Sequence, residues 1–316
     1  MRRVALIYNP ASGQHSARRD SYVQKVLAIL RQAGIDAEPL ETHAPGSGRS
    51  LALAAVRQGF DAVLACGGDG TVHEVLQPLV GTNIALGVVP LGTANALAQN
   101  LGLGRNPIKA VRALLGAKPI EVPVGRIYFQ ESNGAKGWRY FTVAAGVGAD
   151  ALLMSSMDPN LKRRYGYALY ILEAFKIWAT NPFPLFDASF STNGNRAPRV
   201  EQVSQLLAVR IRSFGGALGE LAPGATLRKK DLSIVAFKTR NRVHYLRFLL
   251  ATIIGRQTFS RTIELLDADS VDCRPVDGST SHVFVEADGE VLGSLPARLE
   301  LARETLTLLV PPGAQP

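Results

Sequence analysis

Three loops and one acidic turn carry the residue types in this chain that could do chemistry. Gly67-Gly68-Asp69-Gly70-Thr71 ends the apolar run Asp61 to Cys66 and gives way to Val72, Val75, Leu76 and Leu79 at helical spacing. A strand, a glycine turn and a helix N-terminus together offer an anion bare N–H groups and the positive end of a dipole. A carboxylate within such a loop would repel a bare phosphate, so Asp69 makes sense if it reaches a phosphate-bound Mg²⁺, directly or through water. The same residues would also serve as a tight βα turn with a solvated Asp. Asn9-Pro10-Ala11-Ser12-Gly13 and Pro90-Leu91-Gly92-Thr93-Ala94-Asn95 interrupt two other apolar runs, with side chains able to bond local backbone or a ligand. Near the end, Glu286-Ala287-Asp288-Gly289-Glu290 places three carboxylates in five residues, with Glu286 and Asp288 sharing strand parity. This cluster could hold a general base and a metal contact, or it could be a polar β-turn around Asp288-Gly289.

The elements that must position these residues begin with a strand over Arg3 to Tyr8 and a helix from about Ser16 to Ala33, stopped by Gly34. A strand over Ile35 to Leu40, a loop over Glu41 to Gly48 and a helix over Arg49 to Gln58 follow. Beyond the glycine loop come a strand over Ile84 to Val89 and helices over Ala96 to Leu101 and Pro107 to Gly116. Alternation of this kind predicts a parallel sheet covered on both faces, with ligands beyond the carboxyl ends of its strands. All three glycine-bearing loops fall at such ends, so they can converge on one phosphate site.

After about Pro123 the pattern turns to short strands parted by turn residues, predicting a mostly antiparallel sandwich or flattened barrel. The strands expected are Val124–Gln130, Trp138–Ala145, Phe186–Ser191, Gln202–Arg212, Leu232–Lys238, Thr262–Leu266, Val271–Arg274, His282–Ala287 and Arg298–Leu301. Two helical pieces interrupt them, Tyr165 to Thr180 and Val243 to Gly255. The first carries Tyr167, Tyr170, Ile171, Phe175 and Trp178, which could line an acyl-chain pocket or be ordinary core. Phe248 to Gly255 is the greasiest run of the chain and is expected to be a packed helix.

At 316 residues, two domains are the prior. The formal net charge of +9 favours anionic partners: a nucleotide, an anionic lipid headgroup or nucleic acid. The basic residues are dispersed and not interleaved with aromatics, which makes nucleic acid the weakest of the three. Two cysteines, Cys66 and Cys273, exclude a disulfide framework and a zinc site. A helix N-terminus could lower the pKa of Cys66, although a buried inert thiol is the more ordinary reading. The first residues hold too short an apolar run for a signal peptide, and no window reaches the length of a membrane span. The expected location is cytoplasmic, with peripheral contact to membranes.

Taken together, these segments resemble the lipid-kinase family of diacylglycerol kinases, sphingosine kinases and their bacterial relatives. Asn9-Pro10-Ala11-Ser12-Gly13 matches the opening NPxSG of the family, and Gly67 to Thr71 its GGDGT with Glu74 following. Pro90 to Asn95 matches PxGTxN, and Asp288-Gly289-Glu290 matches DGE. The resemblance implies an α/β nucleotide-binding domain over residues 1–123, to which a tail of about 303–316 returns, and a β-rich lipid domain over residues 124–302. It implies ATP and Mg²⁺ as cofactors and phosphorylation of a lipid alcohol. The nucleotide would be held by Asn9, Ser12, Gly13, Thr42, Gly67, Gly68, Asp69, Gly70, Thr71, Glu74, Gly92, Thr93 and Asn95. Asp288 or Glu290 would be the base, with Asp69 anchoring the Mg-nucleotide; in some relatives the glycine-loop Asp is the base, so these roles can exchange.

The chain departs from its relatives at four places. Ala96 and Pro123 stand where many have Asp, His73 where Asn is common, and Arg228-Lys229-Lys230 where acidic residues hold a structural cation. A lysine ammonium is expected to stand in for that cation, donating to carbonyls or to Asp231 or Glu220; the alternative is a solvated turn. Two other readings stay open: a catalytically weak nucleotide- or lipid-binding protein, and a kinase of a soluble substrate such as NAD. A transient anionic membrane surface and a homodimer are the macromolecular partners considered.

Overall fold

The computed structural model describes residues 1–10, 16–149, 151, 176, 178–192, 197–214, 219–256, 258–278 and 282–315. Within the chain two compact units form, Met1–Val124 with Arg303–Pro316, and Gly125–Ala302.

The first unit alternates β1 (Arg3–Tyr8), α1 (Ser16–Gln32), β2 (Asp36–Glu41), α2 (Ser47–Arg57), β3 (Ala62–Gly67), α3 (Asp69–Leu76) and β4 (Ala85–Pro90). Helices α4 (Ala96–Asn100) and α5 (Pro107–Leu115) follow. The parallel order is β2-β1-β3-β4, closed on the far side of β4 by the chain's last strand at Leu308. Every residue of β3 and β4 is buried, as a parallel strand covered on both faces requires. β2 lies at the edge, which is where a strand tolerates Pro39. Helix α5 opens on Pro107, and the Asn106 side chain accepts the amides of Ile108 and Lys109 at 3.0 and 3.1 Å.

β5 (Lys118–Gln130) leads from the first unit into the second, which holds β6 (Lys136–Phe141), β7 (Ala144–Gly148), β8 (Phe186–Ser191), β9 (Arg199–Val203), β10 (Gln205–Val209) and β11 (Leu232–Phe237). After helix α6 (Arg242–Ile253) come β12 (Ile263–Ala268), β13 (Ser270–Pro275), β14 (Phe284–Ala287) and β15 (Glu290–Val310). Antiparallel pairing runs β12-β11-β10-β7-β14-β15, with β13 between β15 and β8, and β8 paired with β9. Phe141, Phe186, Phe190, Leu206, Ile234 and Leu299 belong to its main core. From Arg303 onward β15 is counted with the first unit.

Three strand expectations are corrected. Trp138–Ala145 is two strands, because the amides of Thr142, Val143 and Ala144 turn to the Asp288 carboxylate. Gln202–Arg212 is also two, broken at Ser204, whose hydroxyl lies 2.8 Å from the Tyr245 hydroxyl and 3.1 Å from the Phe237 carbonyl. The strand expected at Arg298–Leu301 is 21 residues long. Gly293 permits it to continue, since a Cβ there would lie 2.1 Å from the Gln130 carbonyl oxygen. The stripe residues Tyr167, Tyr170, Ile171 and Phe175 lie outside the described residues. Trp178 is described, and its indole N–H donates to the Arg242 carbonyl at 2.8 Å.

The loop at Arg228-Lys229-Lys230 is organised by two cations, the expected Lys229 and an unexpected Arg210. Arg210 is 1% exposed, and its guanidinium donates to the carbonyls of Leu227 (3.0 Å), Lys229 (3.2 Å) and Asp231 (3.3 Å). Burial pushes the Arg210 pKa down to about 10, so the side chain stays charged at neutral pH. Lys229 pairs with Asp231 at 3.8 Å, as expected of a lysine here, and also meets the carboxylate of Asp267 and the Ser233 hydroxyl. Lys230 is exposed. A fork of donors fits several carbonyls at once, where an ammonium offers only a point charge. Arg210→Met should therefore cost about 3 kcal/mol or more in urea unfolding, since it leaves three carbonyls without their donor. Melting in EDTA should match melting in Mg²⁺. A near-silent Arg210→Met would show that water replaces the guanidinium at no cost.

Candidate active site

The four segments that leave β1, β2, β3 and β4 are tied into one assembly. After β1, the Asn9 amide donates to the Cys66 carbonyl (3.2 Å), and its side-chain amide reaches the Thr71 hydroxyl at 3.5 Å. After β2, the Thr42 amide donates to the Tyr8 carbonyl at 2.9 Å. The loop beyond Thr42 is held by Glu74 of α3, whose two carboxylate oxygens accept the amides of Gly46 (2.7 Å) and Gly48 (2.9 Å). Glu74 thereby caps the start of α2, where Gly46 takes the left-handed conformation at φ 83°.

The loops after β3 and β4 meet backbone to backbone. A Cβ on Gly92 would lie 2.4 Å from the Gly68 Cα, so only glycine fits this seam. Gly67 is equally confined, with the Thr71 hydroxyl 2.4 Å from its would-be Cβ. Asn95 sits in the left-handed region at φ 52° and closes a ring with Gly92, accepting its amide at 2.9 Å and donating to its carbonyl at 2.7 Å. Asp69 crosses the seam. Its carboxylate oxygens accept the Asn95 amide (2.9 Å) and the Ala96 amide (2.7 Å), capping the first residues of α4.

This answers the repulsion that the sequence poses for Asp69. Two amide dipoles, from a different loop, stand against its negative charge, and α3 turns the positive end of its dipole toward the same loop. The Ala96 contact is made by the backbone, so it needs no acidic side chain at that position. Among the described residues no group of three or more His, Cys, Asp or Glu is placed to hold a metal ion. One carboxylate, Asp69, suits a Mg²⁺ that arrives on a polyphosphate and keeps several waters; it does not make a protein cage. Cys66 is buried beside the loop, and burial pushes its thiol up to about 12, an inert group. Gly70 and Thr93 are partly exposed, and His73 is buried in α3. Ser12 and Gly13 lie outside the described residues.

In the second unit the acidic turn proves to be a hairpin between β14 and β15. Strand parity ends before Asp288, which is left-handed at φ 51°, so Glu286 and Asp288 have separate tasks. Glu286 accepts the Gly289 amide at 2.8 Å. Asp288 is 7% exposed; it accepts the amides of Thr142 (3.0 Å), Val143 (2.8 Å) and Ala144 (3.1 Å), and the Thr142 hydroxyl at 3.3 Å. Glu290 is exposed at the start of β15. The amide partners of Asp69 and Asp288 carry no side-chain signal and were illegible in the sequence. Arg210 was legible in principle, as a lone charge in the apolar run Leu206 to Ile211.

Residues 3–127 match the profile of the diacylglycerol kinase catalytic domain, and residues 142–310 that of the YegS C-terminal NAD kinase β-sandwich-like domain. A diacylglycerol kinase of Mycobacterium tuberculosis (strain ATCC 25618 / H37Rv) is 29% identical over 317 residues, covering 98% of this chain and 95% of that protein. One from Bacillus subtilis (strain 168) is 26% identical over 299 residues, covering 94% and 92%. Among solved structures, a diacylglycerol kinase from Bacillus anthracis str. Sterne superposes with a TM-score of 0.70 at 19% identity, covering 99% of this chain and 98% of that one. Yeast NADH kinase complexed with NADH is more distant, with a TM-score of 0.52 at 9% identity, covering 98% and 83%.

Proposed function

The chain belongs to the diacylglycerol kinase catalytic-domain family, and from that premise we propose that it transfers the γ-phosphate of ATP to a hydroxyl of a membrane lipid, diacylglycerol-like or sphingoid-like. The observation that supports this reading most directly is the Gly68–Gly92 seam with Asp69 across it. Such a seam leaves backbone donors as the lining for a polyphosphate. Asn9, Thr42, Thr71, Thr93 and Asn95 are assigned to this phosphate site, with Glu74 holding the loop beyond Thr42, and Ser12 and Gly13 are assigned to it by their motif.

Phosphoryl transfer asks little covalent chemistry of the protein: positioning, charge neutralisation and a proton acceptor. The lipid oxygen bonds to the γ-phosphorus as the bond to the bridging oxygen breaks, ADP leaves with that electron pair, and a carboxylate takes the hydroxyl proton. Mg²⁺, carried on the triphosphate and met by Asp69, would neutralise charge that builds on the phosphate oxygens. The Asp288–Glu290 hairpin supplies the acceptor carboxylate, with Asp288 held by the amides of Thr142 to Ala144. The enzyme would work at the cytoplasmic surface of an anionic membrane, where its lipid resides.

A panel of diacylglycerol, a sphingoid base, phosphatidylglycerol and an undecaprenyl-type alcohol, each with Mg-ATP, identifies the acceptor. One lipid should release ADP well above the others. ATP binding without turnover on any of them would favour the weak-binder reading.

A further inference from the structure

Helix α6 is apolar on two opposite faces. Tyr245, Phe248 and Thr252 face the unit, with Tyr245 stacked on Phe237 at 4.7 Å and Phe248 edge-on to the same ring at 5.2 Å. The opposite face carries Val243, Leu246, Leu250 and Ile253, spaced three, four and three residues apart along one stripe. These are 63%, 37%, 54% and 45% exposed, and Ile254 beyond them is 68% exposed. The run expected to be a packed helix is therefore packed on one side only.

A helix with an exposed apolar stripe opposite its packed face calls for a second apolar environment. This one, at 12 residues, is far too short to span a bilayer, and no described helix is long and apolar enough to cross one. The stretch of sequence that contains it is strongly cationic. From Leu232 to Ile263 the sequence contains no Asp or Glu, while Arg240, Arg242, Arg247, Arg256 and Arg261 fall within it. Arg247 and Arg256 are exposed beside the stripe, and Arg240 and Arg242 anchor the helix start through the carbonyls of Pro182 (3.2 Å) and Asn181 (3.3 Å).

We propose that the outer face of α6 is a membrane-docking face that inserts Val243, Leu246, Leu250 and Ile253 at the headgroup boundary of an anionic bilayer while the flanking arginines meet lipid phosphates. Apolar insertion plus basic flanks is the composition that holds a helix in the interfacial plane. A second copy of the chain is the poorer occupant, because a two-fold contact through this face would set arginine against arginine. The choice of a lipid surface rests on the lipid-kinase reading, but the test does not.

The probe is flotation with vesicles of phosphatidylglycerol and phosphatidylcholine, without ATP. The native chain should bind these and fail to bind pure phosphatidylcholine. Leu246→Glu with Leu250→Glu should weaken partition about tenfold or more, since each leucine alone is worth roughly that factor when taken out of water. Arg247→Gln with Arg256→Gln should weaken it roughly tenfold at low salt and flatten its salt dependence. All four positions are exposed, so melting curves should remain native, as should transfer to a short-chain, water-dispersed acceptor. Full binding by the leucine variant, equal binding to neutral vesicles, or a dimer that Leu250→Glu dissociates while vesicle binding persists would overturn the proposal. Loss of all lipid phosphorylation with vesicle binding intact would count against the kinase reading instead.

Discussion

Glu290→Gln should lower turnover by roughly 10²–10⁴ while ATP affinity and thermal stability stay native, the pattern that follows loss of a general base. Glu290 is exposed at the first position of β15, so the fold should absorb the change within a few tenths of a kcal/mol. Asp288→Asn should behave differently. Asn tolerates the left-handed backbone at φ 51°, so the substitution isolates the carboxylate. One oxygen and its charge are lost, and an NH₂ group is set near the amides of Thr142, Val143 and Ala144. The expected cost is about 2–4 kcal/mol in urea unfolding, together with a loss of turnover, because the hairpin bearing Glu290 is no longer pinned. Native turnover in Glu290→Gln would move the base to Asp288 or Asp69. Equal loss of ATP affinity and turnover would make Glu290 a nucleotide contact.

Gly92→Ala should weaken ATP binding by about two orders of magnitude, close to 3 kcal/mol. Its methyl group would lie 2.4 Å from the Gly68 Cα and 2.9 Å from the Asn95 side-chain oxygen, so the two loops must part. Neither obstacle is a flexible side-chain end: Gly68 is backbone, and Asn95 is fixed in its ring with Gly92. Asp69→Asn attacks the same seam from the other side, leaving one acceptor oxygen for the amides of Asn95 and Ala96 and removing the charge that meets Mg²⁺. Calorimetry, at a temperature where both variants are folded, should show Mg-ATP affinity reduced in each, with a lowered melting temperature from the strained or lost seam contacts. Unchanged affinity in either would mean that the seam is a structural contact and not the phosphate site.

Much of this architecture was legible because it rests on local signals. The apolar runs Val4 to Ile7 and Val63 to Cys66 are buried parallel strands, and Gly67 to Thr71 turns into α3 as the spacing requires. What was not legible depends on partners distant in sequence. Asp69 read as a carboxylate that needs positive partners, and two of them are amides 26 and 27 residues away that no side chain announces. Asp288-Gly289 is the polar turn that the sequence offered as one reading, but the amides that fix the Asp288 carboxylate lie about 145 residues earlier and split a predicted strand. The loop at Lys229 showed that a cation was needed, while Arg210, buried one strand away in the sheet, supplies a second. Side-chain type announces a charge; only the fold says which backbone group receives it.

Phosphoryl transfer from ATP to a lipid hydroxyl is tested by following the phosphate itself. The chain is incubated with γ-labelled ATP, Mg²⁺, mixed lipid vesicles and NAD, and the reaction is split between organic and aqueous phases. Label should appear in a phosphorylated lipid in the organic phase, strongly reduced in Gly92→Ala, with none on NAD. Label on NAD, or none on any lipid while ATP is bound, would contradict it.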